Sequence, residues 1–155
     1  MREPAPVAEG ELVSGCYRIF SKKAAGFCFD VEGTHAKHRQ GSAVMTFPSF
    51  RALHQAIDLV ALGGGVYTMH PACCPRTTFV GVSAVGQLEL TSVEHRWAIK
   101  PIVGGHMIAP ASATDGSCLR LDYSMSAVGA LPKVVPQADE SSRRVIWVFH
   151  LLQKA

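Results

Sequence analysis

Apolar and polar residues alternate at every second position through most of the chain, in short segments bounded by Gly, Pro, Ser or Asp. That period predicts half-buried β-strands rather than helices. Two of these segments centre on tryptophan, His95-Arg96-Trp97-Ala98-Ile99 and Val145-Ile146-Trp147-Val148-Phe149, and a third, Gln55-Ala56-Ile57-Asp58-Leu59, places isoleucine at the same position. The three marks recur after 40 and 50 residues, the spacing of one repeat plus loop variation.

Aligning on those marks brings three further strands of each unit into register. The first strand is Tyr17 to Ile19, Tyr67 to Met69 and His106 to Ile108. The second is Phe27 to Val31, Thr78 to Val82 and Ser117 to Leu121, with Cys28 and Cys118 at matching positions. The third is Ala43 to Phe47, Gln87 to Thr91 and Leu131 to Val135. The best helical candidate, Phe50 to Leu62, carries Leu53, Ile57 and Val60 at helical spacing, but the repeat register makes it a loop turn entering a strand. The expectation is an all-β chain of twelve short strands in three pseudo-equivalent four-strand repeats, a β-trefoil. Its repeats would span about 14–62, 63–103 and 104–155 of a single domain (14–155), behind an N-terminal extension (1–13). Tyr17, Tyr67, Ile57, Trp97 and Trp147 would be core, because strands this short bury a face only by stacking about a common axis.

Composition narrows the function classes. With 155 residues, 48% hydrophobic and 17% charged, the chain can close one core and does not read as disordered. Its longest apolar runs, such as Ile57 to Leu62, are strand-sized, so no membrane insertion is expected. The opening Met1-Arg2-Glu3-Pro4-Ala5-Pro6-Val7 has no apolar core of a secretory signal, which points to the cytoplasm. A net charge of +3 on scattered basic residues lacks the aromatic-interleaved stripe of a nucleic-acid binder, and Ser141-Ser142-Arg143-Arg144 reads as a solvated loop. The five cysteines fit no zinc spacing, and adjacent Cys73 and Cys74 would make a strained bridge, so free thiols are expected. No cofactor or metal is implied: His35 and His38 lack a third ligand, and Cys73 or Cys74 beside His70 lacks an orienting group, which argues against an enzyme.

The first repeat resembles the ricin B-type lectins. Cys28-Phe29-Asp30-Val31-Glu32-Gly33, Gly41-Ser42-Ala43-Val44-Met45-Thr46-Phe47 and His54-Gln55-Ala56-Ile57-Asp58-Leu59 are similar to that family's Asp-Val, Gly-x-x-Val-x-x-aromatic and Gln-x-Trp strands. Small unsecreted fungal members of the family have about this length, lack disulfides and begin with Gly-x-Tyr, as in Gly15-Cys16-Tyr17. The resemblance implies a carbohydrate site in which Asp30 forks to vicinal hydroxyls and Phe47 stacks on the sugar. His54 would stand where the family has a sugar-contacting Asn, followed by Gln55, and Met45 replaces a polar contact. The partners implied are glycans or glycoproteins, and a subunit with one site would gain avidity as a homodimer. The plain structural reading of Asp30 is a turn carboxylate, and of Phe47 a packed strand end. The second repeat offers Val80 or Gly81 and Leu90 or Thr91 at these positions; the third offers Arg120, with Asp122 and Tyr123 nearby.

The same fold also serves fungal protease inhibitors, which leaves a protease as the alternative partner. Basic residues suited to a trypsin-like enzyme are Lys37 and Arg39 in the long first-repeat loop, Arg76 after Cys-Cys-Pro, and Arg143. The chain contains no asparagine, which removes both N-glycosylation and the Asn-based inhibition of legumain-like proteases.

Overall fold

A computed structural model describes residues 10–32, 41–121, 132–135 and 143–155. Twelve strands follow in chain order. The first repeat contributes β1 (Gly15–Ser21), β2 (Phe27–Val31), β3 (Val44–Pro48) and β4 (Ile57–Gly63). The second contributes β5 (Val66–Pro71), β6 (Phe79–Val82), β7 (Leu88–Thr91) and β8 (Trp97–Ile102). The third contributes β9 (Gly105–Pro110), β10 (Cys118–Leu121), β11 (Pro132–Val135) and β12 (Trp147–Lys154).

The first and fourth strands of every repeat pair around a closed ring, β1–β4–β5–β8–β9–β12 and back to β1, entirely antiparallel. Closure leaves these six strands without an open edge. The remaining strands form three hairpins, β2–β3, β6–β7 and β10–β11. Backbone bonds tie the hairpins together: Gly41 N–H donates to Leu90 O at 2.8 Å and Val134 N–H to Gly86 O at 2.8 Å. A six-strand barrel with three capping hairpins is the β-trefoil.

Register shows the threefold relation directly. Ile57 pairs with Tyr17 of its own repeat and Pro71 of the next. Trp97 pairs in the same way with Tyr67 and Pro110, and Trp147 with His106 and, around the ring, Ser21. All three marker residues are completely buried. Trp97 Nε1 donates to Val80 O at 2.8 Å and Trp147 Nε1 to Leu119 O at 3.2 Å, equivalent carbonyls of β6 and β10. Each indole thus fills the core and satisfies its one polar atom.

The expected fourth strands begin two residues too early: β4, β8 and β12 start at the marker residue itself. In the first and third repeats a 3₁₀ turn, Leu53–Gln55 and Arg143–Val145, occupies the preceding positions. Its bond from Ala56 N–H to Leu53 O, 3.0 Å, rotates Gln55 out of the strand pleat.

Residues 10–13, assigned from the sequence to the N-terminal extension, pack against all three repeats. Tyr17 Oη donates to Val13 O at 2.6 Å and Tyr67 Oη to Leu12 O at 2.8 Å; His106 Nε2 lies 2.8 Å from Gly10 O, which requires the Nε2–H tautomer. Tyr17, Tyr67 and His106 are pseudo-equivalent, so each repeat holds one carbonyl of the same segment, and Leu12 joins the buried core.

Candidate functional site

Period-two alternation along β2 and β3 sends Phe29, Val31 and Val44 into the core and turns Asp30, Met45 and Phe47 to the opposite face. Asp30 faces Met45 across the hairpin, and Cys28 faces Phe47. The chain leaving β3 folds over this face through Pro48-Ser49-Phe50, with Arg51 in the left-handed region at φ 61°, uncommon outside glycine. The 3₁₀ turn then delivers His54 and Gln55. A shallow depression of about 190 Å³ results, lined by Asp30, Val31, Glu32, Met45, Phe47, Phe50 and His54.

Gln55 is wholly buried and its amide is fully engaged. Nε2 donates to Asp30 Oδ2 at 2.9 Å and to Pro48 O at 3.0 Å, and Oε1 accepts from Phe50 N–H at 3.0 Å. It therefore holds the carboxylate and the loop rather than meeting a ligand. Oδ1 of Asp30 lies 3.5 Å from His54 Nε2, too long for a good hydrogen bond. Asp30 as a residue is 5% exposed, yet it lines the depression.

Phe50 is 55% exposed and packs edge-on against Phe47, centroids 6.0 Å apart, and against His54 at 5.3 Å. Sequence reasoning did not single it out as a site residue. The available signal was a phenylalanine in a Pro-Ser loop just ahead of His54-Gln55, where a core residue has no strand to belong to. Asp30 is thus brought together with Phe47, His54 and Gln55, the last of them 25 residues further along the chain.

Hairpin register locates the equivalents in the other repeats. Gly81 and Arg120 stand at the Asp30 position, Thr91 and Val135 at the Phe47 position, and the marker register puts His95 and Val145 at the Gln55 position. A Cβ on Gly81 would lie 2.7 Å from Thr91 Cγ2, so any side chain there would force Thr91 to move, and glycine itself offers no carboxylate. His95 there packs at a tilt against Trp97, ring centroids 4.5 Å apart, and burial lowers its pKa. In the third repeat a cation replaces the acceptor; Asp122 and Tyr123 lie outside the described residues.

Of the residues suggested for protease inhibition, Lys37 and Arg39 also lie outside the described residues. Arg76, in the β5–β6 loop, is two-thirds exposed with Nε 3.7 Å from Asp58 Oδ2. Arg143 is exposed at the start of the second 3₁₀ turn. A larger cleft, about 500 Å³, opens where β1, β4 and β12 meet and includes Cys16, Asp58, Arg76 and Lys154. Burial, with Asp58 alongside, pushes the Cys16 thiol up to about 11, so it is no nucleophile at neutral pH. Among the described residues, no aromatic side chain lines this cleft.

No family model matches the chain, and no curated protein sequence matches it. Solved structures do. The agglutinin of Rhizoctonia solani superimposes with a TM-score of 0.74 at 20% identity, covering 95% of this chain and 99% of that one. A ricin B-like lectin of Macrolepiota procera, solved in complex with lactose, gives 0.70 at 16% identity over 95% and 99%. The designed threefold-symmetric protein ThreeFoil gives 0.71 at 17% identity over 89% and 99%. What is shared is the fold.

Proposed function

We propose that this protein is a non-catalytic carbohydrate-binding protein whose site is the first-repeat depression. The observation that carries this reading is a carboxylate clamped from behind by a buried glutamine and placed below an exposed aromatic edge. Asp30 would accept two hydroxyl protons of a sugar, Phe47 and Phe50 would offer an apolar face to its C–H side, and His54 would bond at the rim. A carboxylate held by protein donors needs no reorganisation when a ligand arrives, which favours affinity. The second and third repeats lack this arrangement, so the subunit would carry one site of this kind and would profit from homodimerisation. A reducing, cytoplasmic setting is part of the proposal, since all five cysteines carry free thiols.

Sugars such as lactose and N-acetylgalactosamine, found on structural neighbours, are the first ligands to test. A glycan array should give signal for the wild type and lose it on Asp30→Ala. Charged hydrogen bonds are worth about 1.5–3 kcal/mol each, so the variant should bind about tenfold or more weakly. Unchanged binding in that variant would move the site elsewhere. A wild type that binds no glycan but inhibits trypsin would transfer the role to a loop, with Arg76, Arg143, Lys37 and Arg39 replaced one at a time.

A further inference from the structure

The end of β5 and the loop that follows it carry Pro71-Ala72-Cys73-Cys74-Pro75. The two sulfurs lie 3.7 Å apart. Cys74 N–H donates to Pro71 O at 3.1 Å, closing a tight turn, and Ala72 N–H donates to Ala56 O at 2.9 Å, pinning that turn to the residue after Gln55. Both cysteines pack against the core yet remain partly exposed, within reach of a small oxidant. Burial and the hydrogen bond with Cys74 push the Cys73 thiol up to about 12. One continuous path of contacts therefore runs from the dithiol through Ala56 and Gln55 to Asp30.

We propose that Cys73 and Cys74 are a reversible two-electron modification site: a peroxide closes them to a vicinal disulfide, and the closure is transmitted to Gln55 and Asp30. The Cys74 sulfur, as the thiolate, attacks a peroxide oxygen, the O–O bond breaks, water leaves and a sulfenic acid remains, with Cys73 as the resolving thiol. The second sulfur then displaces hydroxide, which leaves as water with the remaining proton. Two thiols and one hydrogen peroxide give one S–S bond and two waters. Because Cys73 is held protonated, the pair stays reduced until the oxidant is abundant. Drawing the sulfurs from 3.7 Å to a bonded distance of about 2.05 Å must rotate the Pro71–Cys74 turn, and the Ala72–Ala56 bond carries that rotation toward Gln55. A bridge between neighbours is strained, and strained bridges are readily reduced, which makes the step reversible.

The test uses the full chain. After hydrogen peroxide, then alkylation and trypsin, the peptide from Ala52 to Arg76 contains both sulfurs and no other cysteine. It should appear unalkylated and lighter by the two lost hydrogens, and dithiothreitol should restore both alkylation sites. Cys73→Ser or Cys74→Ser should abolish the loss. Amide spectra should show the Gln55 side-chain and Asp30 backbone signals shifting on oxidation in the wild type only. If both sulfurs stay alkylatable while Cys16 oxidises, or if the peptide runs on to sulfinic acid, the site is wrong. A closed bridge with unmoved Gln55 and Asp30 signals would sink the transmission. None of these readouts needs a sugar: a protein that binds no glycan in either state would overturn the carbohydrate reading and leave this result standing.

Discussion

Gln55 has no exposed surface, yet it sets the geometry of the candidate site through three hydrogen bonds. Gln55→Ala would remove a hydrogen bond to a buried carboxylate and the acceptor of a loop N–H, which should lower stability by about 1–3 kcal/mol. It should also weaken sugar binding although the side chain never touches the sugar. Urea melts and titration calorimetry on the same variant check both effects; a stable variant with intact binding would contradict this role. Trp97 and Trp147 act differently, since each fills volume. Trp97→Ala or Trp147→Ala should cost about 3–5 kcal/mol by opening a cavity and orphaning the carbonyl of Val80 or Leu119. Denaturant midpoints measure it. At this scale Asp30 and Phe47 are legible in the sequence because they sit at motif positions on a predicted strand. Phe50 is not, because its exposure depends on where a loop lands.

Elements were legible wherever the alternation is strong, and their ends were not. Strands β2 and β7 fall within a residue of expectation. The start of β4 does not, because the 3₁₀ turn before it is local chain geometry with no apolar period of its own. The segment from Gly10 to Val13 looked like an appendage because it carries no alternation. Its three carbonyls nevertheless meet Tyr17, Tyr67 and His106, and Leu12 is 3% exposed. Leu12→Ala should therefore cost about 2–5 kcal/mol, the range for a core leucine. A thermal melt unchanged by that substitution would show the segment to be dispensable. At Gly105 an added Cβ would stand 2.5 Å from Trp147 O, so Gly105→Ala should part β9 from β12 and lower the melting temperature clearly.

For the molecule as a whole, two histidines tie stability to pH. Burial lowers the pKa of His70, whose ring bonds Thr68 Oγ1 and Thr78 O, and that of His95, packed at a tilt against Trp97. Their folded pKa values lie below the unfolded value of about 6.5, so above it both states are neutral and nothing is lost. As pH falls below about 6.5 the unfolded chain takes up protons first, and stability should decline through the folded values. Urea midpoints at pH 7.5 and 5.5 should show the decline, and His95→Gln should flatten it; a pH-independent midpoint would contradict it. The sequence by itself determined the strand period, the threefold repeat and the core markers, since alternation and recurrence are properties of the chain read along its length. Only the tertiary structure decided that Gln55 serves Asp30 from behind, that Phe50 closes the depression, that a side chain at Gly81 would press on Thr91, and that the turn carrying Cys73 and Cys74 is bonded to Ala56. Each of these rests on distances across turns, hairpins and neighbouring strands, and those distances exist only once the chain has folded.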